Sequence, residues 1–418
     1  MPPAEMPPLA LPKAVEPSAV PNGEPVSKPL QSAEEKPPVP DNAFEIAPKV
    51  VAAPPARSLG RAWDRTEILY WWPKAAPMPP LITTSRNGSS PVLGGPHTQT
   101  LVGGQALDAL DAGGLRLIVG GAINEAQTAG TEVSYFFLGS RSSTARFFSD
   151  GLPGSRVLGR PFLNASTGLE DVQPIAVPGV GGGLAVVSVT SRMTGWEVNG
   201  VGNLMATPNA RLDVNAGYRY FMFNEGLRVE QTSMRFPLPD GSPQILSAGA
   251  DQIDAHNRFH GGQIGLQGTL SQGVVFLEVS GKMAFGRTTE VYKTSGQTTI
   301  YTAGSILPLI QPVNAGVLIG PGNSGRVAKT SIAYLPEGQM KLGCTVGENS
   351  IFYVGYNFLY LSQAIRAGDQ IDRTINPENI AIQPRTGNIL PPADRTFLPL
   401  RQTDFWVQGL VFGFEARY

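Results

Sequence analysis

Gly409-Leu410-Val411-Phe412-Gly413-Phe414-Glu415-Ala416-Arg417-Tyr418 closes the chain. Successive side chains of a strand point to opposite faces, so Leu410, Phe412, Phe414, Ala416 and Tyr418 share one face and Gly409, Gly413, Glu415 and Arg417 the other. One face is greasy and the other carries charge and glycine. Further upstream, Val275, Leu277, Val279, Met283 and Phe285 alternate in the same way with Glu278, Ser280 and Lys282. A soluble sandwich and a membrane barrel both produce this pattern, so the choice between them rests on the surrounding sequence.

Composition narrows it. The 418 residues include 49 Gly and 38 Pro, too many helix breakers for a helical protein. Only 16% are charged, against about 25% in soluble domains. A large β-protein with so few charges must place apolar surface somewhere besides a core. The net charge of -1 offers no basic surface for nucleic acid, which excludes that partner class. Cys344, the one cysteine, has no companion for a disulfide, redox or zinc site and reads as a small apolar residue in a strand. Val172 to Ser191 is uncharged, but Pro174, Pro178 and the Gly181-Gly182-Gly183 run break any spanning helix. A closed barrel is then the remaining way for this backbone to cross lipid. Met1 to Pro12 has neither a basic nor an apolar signal region, so an export signal is expected upstream.

Residues 1–57 hold 15 prolines and almost no aromatics. Such a segment buries too little apolar surface to offset its ordering entropy, and is expected to be a disordered periplasmic tether. Residues 58–418 then form one domain, with strands expected near 63–72, 113–123, 130–139, 183–200, 210–229, 257–271, 273–292, 330–347, 349–363 and 404–418. The connections alternate in length. Long ones fall at 73–112, 140–182, 230–256, 293–329 and 364–403; short ones at 124–129, 201–209, 272 and 348. Outer-membrane barrels show this asymmetry because their turns face the periplasm and their long loops face outside. The expected fold is therefore all-β: a transmembrane antiparallel up-and-down β-barrel of about ten strands.

Aromatic clusters near strand ends suit interfacial girdles: Tyr70-Trp71-Trp72, Tyr135-Phe136-Phe137, Tyr218 with Tyr220 and Phe221, and Phe352, Tyr356, Phe358 and Tyr360. The charged strand residues Arg65, Glu67, Arg116, Glu132, Glu197, Asp213, Arg219, Glu278, Lys282, Glu415 and Arg417 are expected to face inward. Interleaved acids and bases around a narrow lumen predict a mutually paired plug. In the fourth strand Arg192 and Glu197 fall on opposite faces, and a β-bulge there would reconcile them.

Several stretches resemble the bacterial outer-membrane family of beta-barrel porins, group seven. They are Ile68-Leu69-Tyr70-Trp71-Trp72-Pro73-Lys74, Glu132-Val133-Ser134-Tyr135-Phe136-Phe137-Leu138-Gly139-Ser140-Arg141 and Gly159-Arg160-Pro161-Phe162-Leu163-Asn164, then Val354-Gly355-Tyr356-Asn357-Phe358-Leu359-Tyr360, Gly368-Asp369-Gln370-Ile371-Asp372-Arg373 and Thr403-Asp404-Phe405-Trp406-Val407-Gln408-Gly409-Leu410. The resemblance covers about residues 60–418. It implies a barrel fold and a bacterial outer-membrane location, with the lipid bilayer as partner, and carries no catalytic or binding residues.

Candidate chemistry is sparse. Asp254, His256, Arg258 and His260 share one strand face and could form a metal or acid-base site, but a solvated rim is the stronger expectation. His97 is expected at the surface. The glycines at 179–183 and 320–325 lack a following helix or GKS/T and are expected as flexible loop rather than phosphate cradles. The Asn87 and Asn164 sequons are uninformative in a bacterium. Asp369 and Asp372 could hold Ca²⁺, although pairing with Arg366 and Arg373 is favoured. The uncharged stretch Thr294 to Gly325 includes Val317, Leu318 and Ile319 and is expected to fold into the lumen or pack on a neighbour. No catalytic, metal or cofactor site is expected. The expected function is a structural or narrow-pore role without enzymatic activity; the alternative is a surface adhesin or ligand-binding barrel acting through its loops, and a cell-wall or surface partner stays unidentified.

Overall fold

The computed structural model describes residues 61–86, 88–105, 112–236, 244–303, 309–380 and 400–418; the proline-rich segment and Asn87 lie outside them. The strands in chain order are β1 (Ala62–Pro73), β2 (Ile82–Ser85), β3 (Thr98–Val102), β4 (Ala112–Ala122), β5 (Ala129–Ser149), β6 (Val157–Asn164), β7 (Glu170–Ala176) and β8 (Gly181–Ala206). They continue with β9 (Ala210–Arg235), β10 (Gln244–Gln272), β11 (Val275–Ala303), β12 (Leu309–Val313), β13 (Gly325–Val346), β14 (Ser350–Ala364), β15 (Thr374–Ile375) and β16 (Thr403–Arg417).

Ten of these strands form a closed antiparallel ring in the order β1, β4, β5, β8, β9, β10, β11, β13, β14, β16 and back to β1. Closure leaves the wall no unpaired edge. The expected count and topology of the barrel therefore hold. Chain reversals at the turn end are tight: Gly273 and Gly347 take positive φ of 62° and 67°, which a side chain disfavours. Both ends of the barrel chain meet at that same end, where Ala62 and Tyr418 exchange backbone hydrogen bonds.

The wall is uneven in height. β1 and β4 have 12 and 11 residues, whereas β10 and β11 have 29 each. Much of what reads as long loop is thus wall: β5 runs on to Ser149, β10 begins at Gln244 and β11 ends at Ala303. The reason is an inversion of the alternation along single strands. In the turn-side half of β9, Asp213, Asn215 and Arg219 are buried inside while Tyr218 faces out; in its loop-side half Leu227 and Val229 are inside while Arg228 and Glu230 face out. A search for outward apolar residues stops where the pattern flips.

The loop segments also fold. β2, β3, β6, β7 and β15 make a second, five-stranded sheet. Its Leu81, Ile82, Leu158, Phe162 and Ile175 pack on Ala185, Val187, Leu227, Val229, Ile253 and Ala255 of the inner wall. The barrel mouth thus contains an ordinary apolar core.

Two local expectations need correction. No bulge separates Arg192 from Glu197, since β8 keeps strict phase there, with Met193 and Glu197 buried and Arg192 exposed. The nearby irregularity lies on β5, between Leu138 and Arg141. Arg192 is tolerated outside because it sits on the loop side of Trp196, beyond the apolar band. The Gly181-Gly182-Gly183 run belongs to β8 rather than to a flexible loop, and a Cβ on Gly183 would overlap the carbonyl oxygen of Ile175. Here glycine serves close sheet-on-sheet approach.

Candidate functional site: the occluded lumen

Every inward charge expected from the sequence faces the lumen, and together they form a transverse network near the turn end. Arg65 pairs with Glu415 and lies 3.7 Å from Glu132. Lys282 pairs with Glu197, and Asp213 takes Arg211 at 2.7 Å and the Asn203 amide at 2.8 Å. Arg116 reaches Glu67 at 3.3 Å and, from across the ring, Glu337 at 3.0 Å. Glu337 also accepts from Arg219 and, at 2.6 Å, from the Asn357 amide. Lys341 lies 3.1 Å from Glu67 and 3.2 Å from Glu278, and the Tyr353 hydroxyl donates to Glu67 at 2.9 Å. A cavity of about 20 Å³ between these groups has room for about one water.

Glu337 and Lys341, both buried, are central here, and sequence reasoning missed them. β13 carries Pro336, Gly338 and Gly343, which blur its alternation. The detectable sign was their spacing: 337 and 341 share a face with the buried Ala333 and Leu335.

Above the ions lies an aromatic layer. Trp71, Phe136 and Phe221, interleaved among the outward girdle residues Tyr70, Tyr135, Tyr218 and Tyr220, turn inward instead. Trp71 meets Phe136 with ring centroids 5.6 Å apart, and Phe136 stacks on Phe221 at 6.3 Å. Phe223 of β9 and Phe405 of β16 come from diametrically opposite walls and stack with centroids 3.9 Å apart. Arg366 caps that pair at 5.5 and 5.4 Å from the two rings.

Arg366 reaches beyond its own loop. It donates to both carboxylate oxygens of Glu225 in β9, at 2.8 and 2.7 Å, and Arg373 pairs with Glu170 of β7. Both arginines thus also bridge to distant elements, and Arg366 acts on Asp369 as a nearby positive charge. Asp372 accepts from the Thr374 amide at 2.8 Å. Burial, the largest influence on Asp369, raises its pKa above the ordinary aspartate value.

The mouth sheet is pinned to the wall by Asp251 of β10. Its carboxylate lies 2.6 Å from Arg160 of β6 and accepts the Val317, Leu318 and Ile319 amides at 3.2, 3.2 and 2.9 Å. Val317, Leu318 and Ile319 are buried, so this part of the uncharged stretch folds inward, as one expectation had it.

The remaining candidates stay apart. Asp254, His256, Arg258 and His260 share a face of β10, but it is the outer face; Asp254 accepts from Gln252 at 3.0 Å and His260 lies 3.2 Å from the Tyr218 hydroxyl. His97 is exposed with φ 68°. Asn164 ties its amide to Asp171 at 3.3 Å. Gly320 donates to the Asn323 side chain at 2.7 Å in a self-contained turn. Among the described residues no group of three or more His, Cys, Asp or Glu is placed to hold a metal ion.

A comparison with curated proteins gave no match. Among solved structures, the chain is similar to the outer membrane protease OmpT from Escherichia coli, at 12% identity and a TM-score of 0.41, covering 85% of this chain and 96% of that one. It is also similar to a FadL homologue from Pseudomonas aeruginosa, at 9% identity and a TM-score of 0.21, covering 85% and 90%. Likeness at those scores decides nothing about chemistry. The family profile described as "Putative beta barrel porin-7 (BBP7)" matches residues 63–418. A closed ten-stranded ring, apolar outside and ion-paired within, together with that match, shows that the chain belongs to the beta barrel porin-7 family of outer-membrane barrels.

Proposed function

We propose that this protein serves the outer membrane as a closed, non-enzymatic barrel that passes small ions at most. The supporting observation is the stack of Phe223 on Phe405 across the lumen, 3.9 Å between centroids, above a layer whose charges neutralise one another. Ten strands enclose a lumen only slightly wider than the eight-strand kind that side chains fill. Ionised lumen groups held in mutual pairs are poorly suited to proton transfer, which supports the absence of catalysis. The tight turns and both barrel ends are assigned to the periplasm, and residues 1–57 to a periplasmic tether.

Planar-bilayer recording tests the reading. The native protein should give small, brief currents or none, and Phe223→Ala with Phe405→Ala should raise their frequency. Large, stable openings from the native barrel would overturn it. A second reading, surface binding through the loops, draws support from the five-stranded mouth sheet, an ordered platform made wholly of loop segments. Deleting Ile82 to Val102 should then abolish attachment to cells while heat-modifiable migration persists; unchanged attachment would remove it.

A further inference from the structure

The outer face of the β8 to β13 wall carries a basic patch directly on the loop side of its aromatic band. In the paired register, Trp196, Tyr220, His260 and Arg287 lie side by side across four strands. Arg258, paired with Thr289, is the diagonal neighbour of Arg287, a placement with side chains about 7–8 Å apart at their roots. Arg192, paired with Asn224, stands one step further from the band, and Lys293 opposite Arg326 two steps further. All five cations are exposed. Among the described residues none of them has an ion-pair partner, in contrast to the lumen, where arginine and lysine are consumed by carboxylates. The one acid in the patch, Asp254, stands cross-strand from Lys293 without closing an ion pair and accepts from Gln252 at 3.0 Å.

Below the patch the same wall presents Phe285, 63% exposed, with Ile264 and Leu266, and Ile332, 84% exposed, stands directly opposite Arg287. Apolar surface for acyl chains therefore runs directly into unpaired cations. Cations at that level attract anionic headgroups, at about 1 kcal/mol each. From Arg287 to Lys293 the column extends six residues, about 20 Å along the strand. The polar zone of one leaflet is only about 5–8 Å deep. A glycerophospholipid headgroup would reach the lowest row and leave the rest idle; a sugar headgroup bearing more than one phosphate would meet several rows.

We infer that the outer wall formed by Arg192, Arg258, Arg287, Lys293 and Arg326 binds a phosphorylated glycolipid of the leaflet at the loop end. Arg258 and Arg287 clamp the phosphate nearest the acyl chains, and Lys293 with Arg326 contact the headgroup further out.

Native mass spectrometry of the full chain folded in dodecyl maltoside tests this, with diphosphoryl lipid A, phosphatidylglycerol and phosphatidylcholine as probes. The native protein should retain diphosphoryl lipid A in preference to both phospholipids. Arg258→Gln with Arg287→Gln should weaken that retention about thirtyfold, from about 1 kcal/mol per cation and 1.36 kcal/mol per tenfold. Arg146→Gln, which removes an exposed charge from β5 outside the patch, should leave it unchanged, and heat-modifiable migration should show all variants folded. Equal retention of phosphatidylglycerol, or a folded double variant that holds lipid A as tightly as the native protein, would overturn the inference.

Discussion

The two ends of this barrel solve opposite solvation problems with the same strands. At the turn end lipid lies outside, so apolar side chains face out and the charges, Glu67, Arg116, Glu337 and Lys341 among them, are driven inward. At the loop end the outward face carries Arg228, Glu230 and Asp254, and Leu227, Val229 and Ile253 turn in to meet a sheet built from loops. The first half resembles a membrane protein and the second a soluble sandwich, joined through a layer of aromatics. The inside of a β-barrel is thus set by what surrounds it at each height: a ring-wide ion network where the outside is greasy, and an apolar core with single buried ion pairs such as Asp251 with Arg160 where it is not.

Substitutions in the two halves should therefore fail differently. The largest effect is expected from Glu337→Ala, which strips Arg116 and Arg219 of a shared partner. Breaking a buried pair costs about 3–5 kcal/mol, and the whole barrel should lose heat-modifiable migration at a lower temperature or urea concentration. Asp251→Asn acts on the other half, weakening the hold on Arg160 and three backbone amides. Charge-assisted hydrogen bonds of this kind contribute about 1.5–3 kcal/mol, and the mouth sheet should become open to protease while the barrel keeps its native migration. If both properties decline together, the halves are one cooperative unit and the comparison is broken.

A smaller effect sharpens the turn-end side. A Cβ on Gly413 would overlap the Tyr353 ring, so Gly413→Ala should cost about 1–3 kcal/mol by overpacking. The ring would be pushed from Glu67, and unfolding in vesicles measured by tryptophan fluorescence should report the loss. The smallest effect belongs to the mouth. Burial raises the Asp369 pKa, so the folded state holds the proton more tightly than the unfolded chain and the aspartate favours folding more at low pH than at neutral pH. Asp369→Asn should stabilise the mouth at neutral pH by about 0.5 kcal/mol or less, given solvent screening, and the gain should vanish as pH falls through the raised pKa. Proteolysis of the mouth at two pH values checks the sign.

The residues themselves were enough to reach the ten-strand closed ring, because period-two alternation and turn glycines are local properties. The two tightest turns were expected at 272 and 348, each one residue from the turn glycine, Gly273 or Gly347, and Leu410 to Tyr418 announced its lipid face. Sequence also placed Arg65, Glu67, Arg116, Glu197 and Arg219 in the lumen, since a charge on a lipid-facing strand has nowhere else to go. Tertiary structure alone decided which acid meets which base, for Glu337 and Arg219 lie 118 residues apart and meet only once the ring closes. It also decided that Arg366 reaches Glu225 on β9, that Trp71, Phe136 and Phe221 face in while their neighbours face out, and that the loops fold back as a sheet. Those outcomes depend on the curvature of the wall and on which solvent borders each height. Neither is written in any single stretch of chain.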